Sequence, residues 1–133
     1  MKITTREWLN FANIDLHTCK KILNDEFLTN SVAFHAQQAV EKSFKAILEE
    51  NGLKIPKIHN LLRLHDIVHT FIDFSIEEEL LEKTDEVYIE TRYPGDIGML
   101  SDGKPSIDEA NELYEFANFI YKQTNRMLSD KSK

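Results

Sequence analysis

The sequence is poor in the residues that interrupt regular structure or cross-link a chain. It has four glycines, three prolines and one cysteine among 133 residues. So few breaking residues favour long helices over the turn-rich pattern of an all-β protein. The lone Cys19 excludes an intramolecular disulfide and a zinc site built on cysteines, and its helical surroundings predict a buried, unreactive thiol.

Long apolar runs and an excess of positive charge are also missing. No segment approaches the roughly 18 consecutive apolar residues of a membrane span, and the opening MKITTREW is not an apolar signal segment. These features predict a cytoplasmic protein without a membrane partner. The formal charge of −7 argues against nucleic-acid binding through a broad Lys/Arg surface, although a local basic site remains compatible with it.

Apolar and charged residues, by contrast, are present in the proportions of a folded globular protein. They make up 41% and 29% of the chain, which separates it from disordered sequences. The length fits one domain, so we expect a single helical domain over residues 1–133, with a frayed tail at 129–133.

Five stretches carry apolar residues at three- and four-residue spacing, which is typical of amphipathic helices. The predicted helices cover residues 4 to about 23, 31–51, about 60–73, 75–92 and 106 to about 128, and the segment 92–105 is predicted as the longest loop. The apolar stripe of the first helix includes Phe11 and Cys19. The pattern predicts an all-α, antiparallel four- to five-helix up-and-down bundle, with the short third helix as a crossing element.

Several helix ends have recognisable signals. Gly52 is suited to a left-handed C-terminal cap, and Asn60 to an N-terminal cap. Three Ser/Thr-x-x-Glu patterns predict capping boxes that open the first, fourth and fifth helices. They are Thr4 with Glu7, Ser75 with Glu78, and Ser106 with Glu109.

The stretch FHAQQAVEKSFKA, residues 34–46, places polar side chains where a small bundle is expected to carry aliphatic ones. On a helical projection Gln37 falls inside the apolar arc and Glu41 at its edge. A buried amide without a partner costs about 1 to 3 kcal/mol, so Gln37 needs a hydrogen bond. Both a structural bond and a polar site at a helix junction or dimer seam remain open for Gln37 and Glu41.

Other polar residues of the same helix project toward a more exposed side, where a solvated face is the simplest interpretation. They are His35, Gln38, Lys42 and Lys45.

Two further positions are candidates for binding. His59 stands beside Asn60 at a helix start, where free backbone amides can hold an anion, although capping and packing would also explain it. Arg92 can present a bidentate fork to phosphate or carboxylate, or form an ion pair with Glu41, and Tyr93 can pack its ring beside it.

Cofactor and metal signals are weak. His65 and His69 are four residues apart, but they form no HExxH pattern, and we interpret them as a helix-surface pair. The glycines of the loop GDIGMLSDG lack both a preceding strand and a following Lys-Ser/Thr, so they do not form a phosphate-binding loop. No metal and no cofactor are therefore predicted.

The segments FHAQQAVEKSFKAIL, IHNLLRLHDIV and ETRYP, in this order, resemble the HEPN domain, which is named for higher eukaryotes and prokaryotes nucleotide-binding. The opening Trp8, Ala12, Asp15 and Leu16 fit the same pattern, so the similarity covers nearly the whole chain. The resemblance implies a compact helical bundle that often dimerises. It also implies a gene that commonly lies beside a minimal nucleotidyltransferase in toxin–antitoxin-like pairs.

Many proteins of this family are ribonucleases whose signature is an Arg followed, after four to six residues, by a His late in the chain. Counted from Arg92, the permitted positions hold Ile97, Gly98 and Met99, so the catalytic pair is incomplete. Arg63 and His69 have the right spacing, but six residues of helix place them about 240° apart. No catalytic residue is carried over from the family.

The leading hypothesis is a HEPN-type nucleotide- or RNA-associated binding and interaction module, a homodimer that pairs with a minimal nucleotidyltransferase. One alternative is a divergent metal-independent ribonuclease in which Arg92 acts with a histidine such as His59 or His35. The other is a scaffold dimer without a ligand. The predicted ligand-binding residues are Gln37, Gln38, Glu41, Lys42, Lys45, His59, Arg92 and Tyr93.

Overall fold

A computed structural model describes residues 1–92 and 104–130, without the side chains of residues 90–92. Its α-helices are α1 (Ile3–Ile22), α2 (Thr29–Glu50), α3 (Leu61–Val68), α4 (Glu78–Arg92) and α5 (Ile107–Asp130). Single turns of 3-10 helix, Glu26–Leu28 and His69–Phe71, precede α2 and follow α3. The described residues contain no strand, and the predicted all-α fold is confirmed.

Contacts between helix ends establish that α1 and α2 run in opposite directions. At the start of α1, the backbone N–H of Lys2 donates to Glu50 Oε1 at 3.0 Å, at the end of α2. At the opposite end of the pair, Cys19 Sγ lies 3.5 Å from the carbonyl oxygen of Val32. The short connection between the two helices therefore makes an antiparallel hairpin.

The remaining helices continue the up-and-down order. Phe34 of α2 stacks on Tyr88 of α4 with ring centroids 5.7 Å apart, whereas Gln37, further along α2, meets Asp85, which is earlier in α4. Arg6 at the start of α1 reaches Asn125 near the end of α5. The eight-residue α3 is short, as predicted, and packs against both α2 and α4.

The core is built around α2, which packs against each of the other four helices. The apolar residues that share one face of α2 are buried, and they are Ala33, Ala36, Val40, Phe44, Ile47 and Leu48. Cys19 is also buried, and burial raises the pKa of its thiol to about 12, so the prediction of an unreactive thiol at neutral pH is supported.

Phe11 departs from the predicted core of α1. Its side chain is 54% exposed, although it was expected in the apolar stripe. The buried arc of α1 includes Leu9, Ala12 and Leu16, and Phe11 is turned about 100° away from Ala12. Its ring instead lies under the ammonium of Lys42, 5.9 Å from the ring centroid.

Only one of the three predicted capping boxes forms. Ser106 N donates to Glu109 Oε1 and Glu109 N donates to Ser106 Oγ, both at 3.0 Å. The Thr4 box is wrong because α1 already begins at Ile3, where contacts of Lys2 with the end of α2 fix the start. The Ser75 box is wrong because α4 begins three residues later, at Glu78.

The other end signals are confirmed, with one correction at the C-terminus. Gly52 has a φ of 72°, and Leu53 N donates to the carbonyl of Leu48 at 3.0 Å, which closes α2 with a left-handed cap. Helix α5 continues through Asp130, so residues 129 and 130 do not belong to a frayed tail. Most of the predicted loop at 92–105 and residues 131–133 lie outside the described residues.

Within the described part of the chain, none of the helices combines the length and the apolar character that crossing a membrane requires.

Candidate functional site

Gln37 is the centre of a polar network at the junction of α2, α3 and α4. Its side chain is fully buried, and its Nε2 donates to the backbone oxygen of His59 at 2.9 Å and lies 3.5 Å from Asp85 Oδ1. Gln38 Nε2 donates to Gln37 Oε1 at 2.9 Å and so fixes the orientation of the buried amide. The prediction that Gln37 bonds to a backbone group or a facing side chain is confirmed.

Asp85 is a member of this network that the sequence analysis missed. Its Oδ2 accepts from the backbone N–H of Leu61 at 2.7 Å, and the N–H of Leu62 also contributes. Asn60 Oδ1 accepts from Arg63 N at 2.9 Å. A carboxylate at the positive end of α3 is favoured by the helix dipole, and these bonds satisfy amides that the helix itself leaves open.

The start of α3 is therefore not a vacant anion site. The free backbone amides expected beside His59 and Asn60 are occupied by side chains of the protein itself, so that prediction is wrong. Asp85 falls among Leu81, Thr84 and Tyr88 on the inward side of α4. A carboxylate at an inward position was the signal that could have revealed it.

The surroundings of Asp85 disfavour its ionised form. Burial raises the pKa of its carboxyl group above the ordinary value, and the neighbouring charge of Glu41 acts in the same direction. Hydrogen bonds from Leu61, Gln37 and Leu62 work against this shift without cancelling it.

Glu41 joins Lys45 and His59 to the same network. Its Oε2 accepts from Lys45 Nζ at 2.9 Å, and both of its carboxylate oxygens lie 3.2 Å from His59 Nδ1. The side chains of Glu41 and Lys45 are only 6% and 7% exposed. The predicted solvated position of Lys45 is wrong, because α1 covers this face and the ammonium lies 5.8 Å over the indole ring of Trp8.

His59 is the exposed edge of the same network, with 70% of its side chain open to solvent. An ionised carboxylate can only accept hydrogen bonds, so His59 Nδ1 is the donor to Glu41. In the neutral ring this leaves Nε2 as an acceptor directed away from the carboxylate. We call the set Gln37, Gln38, Glu41, Lys45, His59 and Asp85 the junction network.

A second polar cluster joins α1 to α2. Asp15 Oδ1 lies 2.8 Å from His35 Nδ1, and Asp15 Oδ2 accepts from Lys42 Nζ at 2.7 Å. His35 and Lys42 were expected to face solvent, but their side chains are 27% and 24% exposed, because α1 supplies a buried carboxylate opposite them. We call these three residues the Asp15 cluster.

The structure brings together five of the eight predicted ligand-binding residues in the junction network, and Lys42 belongs to the Asp15 cluster. Arg92 is the last residue of α4, but its side chain lies outside the described residues, as does all of Tyr93. The proposed ion pair between Arg92 and Glu41 is therefore not described. Lys45 and His59 hold the Glu41 oxygens.

His65 lies on α3, and His69 is the first residue of the 3-10 turn that follows it. The rings of His65 and His69 are 6.2 Å apart at an interplanar angle of 50°, and His69 Nδ1 lies 2.8 Å from the carbonyl oxygen of Asp66. Among the described residues, no three His, Cys, Asp or Glu side chains are grouped so that they could hold a metal ion.

The junction network can fix an imidazole and hold it toward solvent with a carboxylate behind it, which suits it to bind a ligand or to move a proton.

Comparison with known proteins identifies the family of this chain. No curated protein and no solved structure matches the chain. The family model described as the HEPN domain matches residues 5–127, a range that includes both polar clusters. Because this match covers most of the chain, the chain belongs to the HEPN domain family.

Proposed function

We propose that this protein is a nucleotide- or RNA-associated binding and interaction module that uses the edge between α2 and α3. It acts as a single domain over residues 1–133, as a homodimer in the cytoplasm, paired with a minimal nucleotidyltransferase in a toxin–antitoxin-like system. The observation that carries the binding proposal is the exposed ring of His59 on its buried support. Family membership supports association with nucleotides or RNA at the level of the family.

The support under His59 favours a binding role because it fixes both the backbone and the ring of this residue. Gln37 holds the carbonyl oxygen at 2.9 Å and Glu41 holds Nδ1 at 3.2 Å. A group held in place before binding loses less conformational entropy when a ligand arrives. The protein thus presents a preorganised hydrogen-bonding group at its surface.

The proposed dimer is supported by aromatic side chains beside the Asp15 cluster. Phe34 is 38% exposed, packs edge-on against His35 with ring centroids 5.1 Å apart, and stacks on Tyr88. Phe11 is exposed next to Lys42. Exposed apolar groups rimmed by polar side chains are typical of interaction surfaces.

Binding is tested by isothermal titration with nucleotides and by fluorescence anisotropy with labelled single-stranded RNA. We expect His59→Ala to weaken binding about tenfold, in line with the loss of one hydrogen bond to a charged group. The control is His17→Ala, which removes another exposed histidine, on α1, whose Nδ1 lies 3.0 Å from the carbonyl oxygen of Asn13.

The interaction role is tested by mass measurement of the protein in solution and by co-purification from the native host. We expect a dimer that Phe34→Asp converts to monomer, and a nucleotidyltransferase among the recovered proteins. Absence of nucleotide binding, RNA binding and any recovered partner would refute the module proposal.

A metal-independent ribonuclease is the second candidate, and the His59–Glu41 pair is the observation that favours it. A carboxylate behind Nδ1 supports an imidazole that accepts or returns a proton near neutral pH, while Arg92 would stabilise the developing charge on phosphate. Incubation with total RNA separates the two proposals. Cleavage that disappears in both Arg92→Ala and His59→Ala would establish the enzyme, whereas intact RNA supports the binding module.

A further inference from the structure

We propose that single-stranded RNA binds through its phosphate backbone to a basic strip formed by Lys54, Lys57 and Arg63, next to His59. This inference rests on the proposed association with RNA and names the surface that contacts it. It assigns a role to three cations that belong to neither polar cluster.

The segment that contains the strip is positively charged, whereas the rest of the chain is negatively charged. Residues 51–65 contain three Lys or Arg and no Asp or Glu, whereas the other 118 residues contain 13 Lys or Arg and 23 Asp or Glu. The segment therefore carries a formal charge of +3 and the remainder −10. Cations grouped without a carboxylate among them favour the approach of a polyanion to this segment.

The three cations keep their charge available. Lys54, Lys57 and Arg63 are exposed, and within the described residues their side chains form no hydrogen bond or ion pair. Three other lysines are held by carboxylates at 2.6 to 2.9 Å, and these are Lys42, Lys45 and Lys83. A lysine that is already paired with a carboxylate binds a phosphate weakly. The three cations of the strip have no such carboxylate partner in the described part of the chain.

The backbone that carries the strip is anchored although most of it is not helical. Asp85 holds the N–H of Leu61 and Gln37 holds the carbonyl of His59, on either side of Asn60. The side chains of Ile55 and Ile58 pack against the core. The cations consequently project from a fixed platform, which lowers the entropy lost on binding.

The dimensions suit a short stretch of one strand. The Cα atoms of Lys54 and Lys57 can be at most about 11 Å apart, because an extended chain spans about 3.6 Å per residue. Elsewhere, a groove of about 400 Å³ between α4 and α5 is lined by Glu77, Glu112 and Glu115 together with Leu80, Phe116 and Phe119, which is unfavourable for RNA phosphates. Three cations on so short a segment can contact only a few phosphates, which suits a short single strand.

The composition of the strip also predicts little base preference. Residues 51–65 include no Phe, Tyr or Trp on which a base could stack. Contacts to phosphate fix position but read no sequence. Binding should therefore depend strongly on salt and weakly on sequence.

The test measures anisotropy of a labelled single-stranded RNA of about 12 nucleotides at several salt concentrations. Three phosphate contacts predict a slope of log K against log salt of about −2, or about a 20-fold loss between 50 and 200 mM. The variant K54Q/K57Q/R63Q should bind at least about tenfold more weakly at 50 mM, with a slope near zero. Circular dichroism verifies that each variant folds.

The matched control is K20Q/K21Q/K122Q, which removes three exposed cations from α1 and α5 and changes the net charge equally. It should bind RNA like the wild type. Weaker binding by the control, with an unaffected strip variant, would place the RNA path on α1 and α5 and overturn the proposal.

Other results of these binding measurements would distinguish failure of the strip proposal from failure of the proposed function. Loss of binding in His59→Ala but not in the strip variant would leave the proposed function standing and reject the strip. Wild-type protein that binds no RNA would reject the proposed function itself. Tighter binding of duplex RNA or single-stranded DNA, or an effect of the strip variant on self-association alone, would reject single-stranded RNA as the occupant.

Discussion

At the scale of single residues, the polar side chains of α2 owe their positions to partners on the same helix and on neighbouring elements. Gln37 is fully buried because His59 and Asp85 accept its amide hydrogens, and Lys45 is buried because Glu41 neutralises it. Buried polar groups are tolerated where every donor and acceptor has a partner. The network therefore makes the α2–α3–α4 junction specific as well as stable.

Asp85 should make stability depend on pH. Its pKa in the folded protein is raised above 3.8, chiefly by burial, so the folded state holds the proton more tightly than the unfolded chain does. Ionisation of Asp85 therefore lowers the free energy of unfolding as pH rises from about 3.8 through the folded pKa. The stability advantage of the wild type over Asp85→Asn should be largest at low pH and shrink across this window.

Urea denaturation from pH 3.5 to 7.5 measures that difference. Asp66→Asn, which removes an exposed carboxylate of α3, controls for the change in net charge. An advantage of the wild type that grows with pH would show that hydrogen bonds, and not burial, dominate the environment of Asp85.

Glu41 and Lys45 should show strong coupling. Lys45→Met leaves the carboxylate of Glu41 buried with only His59 beside it, and we expect a loss of about 3 kcal/mol in the free energy of unfolding. The double variant Glu41→Leu/Lys45→Met removes both charges and should recover most of this loss. Chemical denaturation of the single and double variants provides the measurement, and additive losses would contradict a buried, mutually dependent pair.

At the scale of elements, the apolar periodicity of the sequence predicts the buried face of a helix more reliably than the capping signals predict where a helix begins. The apolar arc of α2 is buried as its spacing indicated, and the Gly52 and Ser106 signals mark the ends that the structure has. The identical pattern at Thr4 fails, because a contact between helices sets where α1 begins. Local signals specify an end only where no tertiary contact overrides them.

The two Ser-x-x-Glu patterns offer a direct comparison. Ser106→Ala removes the side-chain oxygen that accepts from Glu109 N, and it should lower the free energy of unfolding by about 1 kcal/mol. Ser75→Ala removes the same group where no box forms, and its effect should stay within about 0.5 kcal/mol. Thermal and urea unfolding of both variants measure this difference, and equal losses would show that Ser75 caps α4 after all.

Partner choice across helices is the part of the site that the sequence does not determine. Projection of α2 placed Gln37 inward, but it could not show that Asp85 lies opposite it. The same limit explains Lys42, which is held by Asp15 of α1. For Lys45 it applies only in part, because its carboxylate partner Glu41 lies one turn away on α2, whereas the fold alone places the indole ring of Trp8 beside it. Periodicity reveals the face of a residue, whereas its partner depends on how the helices pack.

At the scale of the whole molecule, charge and apolar exposure are distributed unevenly. The basic strip lies next to His59, a groove lined by three glutamates and three apolar side chains lies between α4 and α5, and Phe34 is exposed beside the Asp15 cluster. The formal charge of −7 for the whole chain does not show that residues 51–65 are locally basic. With this distribution, an acidic protein is expected to attract a polyanion at the strip and to repel it elsewhere.

The most direct measurement of the central claim, that the α2–α3 edge binds RNA, is a titration of the isotope-labelled protein with single-stranded RNA, followed by amide chemical shifts. If this edge binds RNA, the shifts should concentrate between residues 54 and 63, with smaller changes in the junction network. Shifts confined to α1 and α5, or no shifts at RNA concentrations that saturate known single-strand binders, would contradict it.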